Sequence, residues 1–140
     1  MPEHWTTARL RRWSELSRRD RRMLLRAWVV VAAVRGALWC CRLSTTRRMA
    51  AAAAGKPRPG AVDELARAVN AVSRCVPRAT CLTQAIALHA LLRRSNHGAQ
   101  VEIGVATAPQ FEAHAWVQCD GRTVLGGAST GRYTPVWTWD

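Results

Sequence analysis

The change of hydrophobic period between Cys81 and Val117 constrains this chain more than any other feature. From Cys81 to Arg94, the residues Leu82, Ala85, Ile86, Leu88, Leu91 and Leu92 recur at helical spacing, densely enough for a largely buried helix. Arg93 and Arg94 suit the negative end of that helix, and Gly98 supplies its stop. Val101, Ile103 and Val105 then alternate with Glu102, Gly104 and Ala106, the period of a half-buried strand. Pro109 breaks that strand, and Phe111 to Cys119 reads as a second one. Asp120-Gly121 is a two-residue hairpin signal that returns the chain as a third strand, Arg122 to Leu125. Tyr133 to Asp140 reads as a last edge strand. A helix followed by short antiparallel strands predicts an α+β fold.

Upstream, Gly55-Lys56-Pro57-Arg58-Pro59-Gly60 cannot continue a helix. It divides the chain into a basic helical arm, 1–58, and a core, 59–140. Within the arm, residues 2–22 read as an amphipathic helix with Trp5, Leu10, Trp13 and Leu16 apolar among charged neighbours. Ser17 followed by Asp20 reads as the start of a second helix, from about Arg18 to Arg42. Ala50–Ala54 reads as a short helix. Asp63 to Ser73 reads as another, with Val62, Leu65, Ala66, Val69 and Val72 at helical spacing. The apolar face of the arm has to be covered, so the arm is expected to pack on the core. No internal repeat is visible.

A chain of 140 residues with 49% hydrophobic composition suits one domain and argues against wholesale disorder. Its formal charge is +12, and residues 1–58 hold only three acids, Glu3, Glu15 and Asp20. Blocks such as Arg18-Arg19-Asp20-Arg21-Arg22 suit nucleic acid, anionic lipid or an acidic peptide. Lys56 is the only lysine, however, which marks a compositional preference for arginine. The charge is discounted accordingly, and nucleic acid is not expected as a partner. Ala27 to Cys41 is the most hydrophobic segment, but it is shorter than the roughly 20 residues of a bilayer span and contains Arg35. A buried helix is expected there, with peripheral membrane contact as the alternative. The five cysteines, Cys40, Cys41, Cys75, Cys81 and Cys119, show no metal-finger spacing. With no secretory signal either, a reduced cytoplasm is the expected setting, and no metal or cofactor is expected.

Cys81 and His114 carry the chemistry. The free amides of a first helical turn stabilise a thiolate, and Thr80 is placed to cap that turn. Most free cysteines are small buried packing residues, and most single histidines are structural. Their combination in the best-patterned part of the chain favours a nucleophile and its base. On its strand, His114 shares a face with Trp116, a candidate substrate-contacting residue, while Ala113, Ala115 and Val117 share the packed face. A third group normally orients the imidazole. Counting back through the hairpin places Gly127 opposite His114, give or take a residue. Asp120 is the nearest acid in sequence and the candidate third member, with Glu112 and Asp140 as other possibilities.

The segments CLTQAIALHALLRR, VEIGV, FEAHAWVQCDGRTVLGG and RYTPVW closely resemble the lasso-peptide leader peptidases, the microcin-processing B proteins related to transglutaminase-like cysteine proteases. The basic arm, DRRMLLRAWVVVAAVRGALW, resembles the N-terminal extension of their stand-alone form. The resemblance implies a papain/transglutaminase-like core, with Cys81 as nucleophile and His114 as base. It also implies an acid about a dozen residues after the histidine, where this chain has Gly126-Gly127. The implied substrate is a ribosomally made precursor peptide, cleaved at the end of its leader. The implied partners are a separate leader-recognition protein and an ATP-dependent macrolactam synthetase. The alternative is a non-catalytic scaffold of the same fold that binds precursor and synthetase.

Overall fold

The structure, a computed structural model, describes residues 12–140. Of the helix expected over residues 2–22, the part up to residue 11 lies outside the described residues. Residues 12–15 are helical, but the chain breaks at Leu16-Ser17, where Ser17 caps a new helix, so 2–22 is not one continuous helix. Among the described residues, four further helices precede a sheet. They are α1 (Arg18–Cys40), α2 (Leu43–Ala54), α3 (Val62–Ser73) and α4 (Cys81–Arg94). The strands are β1 (Ala99–Ala106), β2 (Glu112–Cys119), β3 (Arg122–Leu125) and β4 (Thr134–Trp139), with a 3₁₀ segment, Gly127–Arg132, before the last. The sheet is antiparallel in the order β3-β2-β1-β4, and α4 packs on β1 and β2. The architecture is the expected α+β arrangement.

Local chemistry explains several element ends. Ser17 caps α1 by accepting from the Asp20 amide at 3.1 Å. Thr80 caps α4 through the Thr83 amide at 3.3 Å. Asp120 and Gly121 both have positive φ, 51° and 74°, as a type I′ hairpin requires. Helix α2 begins earlier than Ala50. Thr46 is fully buried in it and donates its hydroxyl to the Arg42 carbonyl at 3.2 Å, which satisfies the polar group inside the core.

The Gly55–Gly60 loop parts the chain in sequence, yet both parts share one hydrophobic core. Val30, Val31 and Val34 of α1 meet Leu88, Leu91 and Leu92 of α4 and Val69 of α3 in that cluster. The loop itself is tied down. The Arg58 amide donates to the Arg94 carbonyl at 3.0 Å, and His97 Nε2 donates to the Gly60 carbonyl at 2.7 Å.

Helix α1 is apolar on two sides. Ala27, Val30, Val31, Val34 and Ala37 face the core, whereas Leu25, Trp28, Val29 and Trp39 are exposed. Among the described residues it is the one helix long and apolar enough to cross a membrane, with 28% of its apolar window buried.

His89, in the middle of α4, is half-buried. Burial, then the charges of Arg47 and Arg93, push it down to about 4. An unfolded histidine titrates near 6.5. As pH falls from 6.5 to 4, the unfolded chain takes a proton that the folded chain refuses, so stability declines through that window. Allowing for solvent screening of a partly exposed ring, the loss is about 2 kcal/mol. We expect His89→Gln to remove this part of the pH dependence, measured by urea unfolding at pH 7 and pH 4.5.

Candidate active site

Cys81 is the first residue of α4 and is partly buried against the core. No acid occupies the first turn of that helix, so the positive helix end at Cys81 has no carboxylate of its own to neutralise it. His114 lies on β2, directly opposite Gly104 of β1. Ala115 and Val117 point into the core beneath the sheet, as their size predicts. His114 and Trp116 point to the other face, with ring centroids 6.1 Å apart.

The imidazole is oriented by the main chain. His114 Nε2 lies 2.8 Å from the Gly126 carbonyl oxygen. A carbonyl can only accept, so Nε2 carries the proton and Nδ1 is left as the basic nitrogen. That is the tautomer a general base needs. The carbonyl reaches His114 because β3 ends early. Cys119 pairs with Arg122 as expected, a bulge between Val117 and Gln118 shifts the register, and Gly126 then turns the chain away at φ 77°. A Cβ on Gly126 would meet the Ala115 carbonyl oxygen at 2.9 Å and His114 Nε2 at 3.2 Å. The position where an acid was anticipated thus presents its carbonyl oxygen.

Tyr133 closes the site, and sequence reasoning missed it. Its ring lies 5.1 Å from His114, and its hydroxyl donates to Glu112 at 3.1 Å. Arg132 donates to the same carboxylate at 2.8 Å. Burial, then the hydrogen bond and charge of Glu112, raise the Tyr133 phenol above its ordinary value, and the charge of Cys81 adds to that rise. The Tyr133 ring is thus in contact with His114, and the charge of Cys81 is the smallest of the influences that raise its phenol. The available signal was that Tyr133, the chain's only tyrosine, sits in a segment otherwise rich in Trp.

The other named residues are placed differently. Asp120 is in the β2–β3 turn, six residues along the strand from His114, roughly 20 Å at the usual strand rise. It lines a cavity at the far end of the sheet with Arg93 and Asp140, so neither carboxylate is brought to His114. Glu112 is engaged by Arg132 and Tyr133. Trp116 is 2% exposed. It is a packing surface behind His114, with no free face to offer a substrate.

A helix carrying a cysteine at its start, packed on an antiparallel sheet that carries a histidine, is the layout of a thiol–imidazole α+β domain. Residues 27–138 match the model of the Transglutaminase-like superfamily, and the chain belongs to that superfamily. Domains of this fold are usually cysteine peptidases or transferases. Comparison with curated proteins and with solved structures gives no match.

Proposed function

We propose that this protein is a cysteine peptidase that removes the leader from a ribosomally made lasso-peptide precursor. The observation that carries the reading is the imidazole of His114, held by the Gly126 carbonyl so that Nδ1 is the free base. Nδ1 takes the proton of Cys81, and the sulfur attacks the carbonyl carbon at the end of the leader. The oxyanion is held by the Cys81 amide at the helix start. When the tetrahedral intermediate collapses, the imidazolium gives its proton to the leaving amine and a thioester remains. Water, deprotonated by His114, then breaks the thioester and releases the leader as a carboxylic acid.

The Gly126 carbonyl fixes the tautomer as an acid would, but it brings only a partial charge to the imidazolium. The dyad is therefore expected to work more slowly than a full triad. A separate recognition protein presents the leader, and a macrolactam synthetase consumes the freed N-terminus. The exposed face of α1, flanked by Arg18, Arg21 and Arg22, suits peripheral contact at the inner face of the membrane.

The scaffold reading has one observation in its favour: among the described residues the hydrogen-bond partner of His114 is the Gly126 carbonyl and not a carboxylate. Leader release from the precursor, followed by mass spectrometry with the recognition protein present, separates the two. Wild type should release the leader, and Cys81→Ala should lose at least a thousandfold in rate. Equal release by Cys81→Ala would exclude the peptidase. No release by either, with the complex assembled, would favour the scaffold.

A further inference from the structure

Four arginines converge on one cavity of about 450 Å³ near the end of α4 remote from Cys81. Arg47 and Arg48 come from α2, and Arg93 and Arg94 from the last turn of α4. Among the described residues no Asp or Glu lines this cavity, although Arg93 also borders the neighbouring one that holds Asp120 and Asp140; the floor is apolar, formed by Ala51, Ile86 and Ala90. Two of the arginines are fixed by main-chain oxygens. Arg94 donates to Ala51 at 3.1 Å, and Arg47 donates to Asp140 at 3.0 Å with its guanidinium over the Trp139 ring. Arg48 and Arg93 are exposed and make no hydrogen bond or ion pair within the described residues.

Like charges held this close repel one another, and a bound anion relieves the repulsion. His89 lines the same cavity and is held below its ordinary value by burial first, with the charges of Arg47 and Arg93 adding to the shift and that of Asp140 opposing it. The shape and lining narrow the anion. No Phe, Tyr or Trp lines the cavity to stack a base, which favours a peptide over a nucleotide or single-stranded nucleic acid. A recess between two helices does not suit the flat surface of a bilayer. An apolar floor beneath a basic rim suits carboxylates that alternate with aliphatic side chains.

We propose that this cavity is a docking site for an acidic peptide segment with an aliphatic anchor. Its carboxylates meet Arg48 and Arg93, and its aliphatic side chain rests on the floor of Ala51, Ile86 and Ala90. Twelve residues of helix separate Arg93 from Cys81, about 18 Å. The segment bound here is therefore remote from any bond attacked by Cys81, and its binding is measurable without cleavage.

The test uses the full chain and the peptide acetyl-Glu-Leu-Glu-Leu-Glu-amide, with calorimetry at low salt. Wild type should bind this probe at least about tenfold more tightly than the Gln-Leu-Gln-Leu-Gln counterpart. Arg48→Gln with Arg93→Gln should weaken binding about tenfold or more, while Arg18→Gln with Arg21→Gln, which removes equal charge elsewhere, should leave it within about twofold. Because Arg48 and Arg93 make no hydrogen bond or ion pair within the described residues, their replacement should leave the fold intact, and the melting temperature of the variant checks this. Equal weakening by both pairs would reduce the effect to net charge and overturn the proposal. So would the absence of binding, or inorganic phosphate binding as tightly as the peptide.

Discussion

Gly126→Asp, which restores a carboxylate near the place the resemblance anticipates one, is expected to lower leader cleavage by about a hundredfold or more. Asp tolerates a left-handed backbone, so φ 77° at this position is not the main obstacle. The obstacle is contact. Its Cβ would lie 2.9 Å from the Ala115 carbonyl oxygen, 3.0 Å from Trp116 Cβ and 3.2 Å from His114 Nε2. Two of these neighbours belong to the buried part of β2 and cannot retreat. The chain at 126 must move instead, and its carbonyl leaves His114. A misplacement of about 1 Å in a reacting group costs on the order of a hundredfold. Initial rates measured by mass spectrometry, wild type against Gly126→Asp, check this. A faster variant would mean that a carboxylate can replace the main-chain acceptor.

Gly104→Val is expected to destabilise the fold by about 3 kcal/mol, lowering the melting temperature by roughly 10 °C. Gly104 sits opposite His114, where the pairing of β1 with β4 slips register. A Cβ there would meet the Trp116 ring at 2.7 Å and Tyr133 Cβ at 2.9 Å. Trp116 is buried and cannot swing aside, so Tyr133 would be driven from the His114 ring. Thermal unfolding followed by circular dichroism gives the stability. A melting temperature unchanged from wild type would show that these rings have room the geometry denies them.

These two glycines also show where sequence reading stops. The span of α4, its Thr80 cap, the Asp120-Gly121 turn and the pairing of Cys119 with Arg122 follow from local rules, because each depends on residues a few positions apart. The bulge at Val117/Gln118 does not, since the neighbouring side chains give no local signal for it. That bulge shifts the register, and the early end of β3 at Gly126 then sets a carbonyl against His114. Asp120 was attractive because it is close in sequence, but an extended strand turns six residues into a long distance. Trp116 looked available on an alternating strand, yet the segment from Gly126 to Tyr133 covers that face. Helix α1 defeats a simple periodicity argument as well, because both of its faces are apolar and only one finds the core.

The most direct test of a Cys81–His114 pair is the alkylation rate of each thiol, resolved by peptide mapping after brief exposure to iodoacetamide at pH 7. Cys75 is exposed and Cys81 only partly so, so accessibility alone makes Cys75 the faster. A Cys81–His114 pair predicts the reverse order. Cys81 should react at least about tenfold faster than Cys75 in wild type and lose that advantage in His114→Ala. Cys81 reacting no faster than Cys75, or equally fast with and without His114, would contradict it.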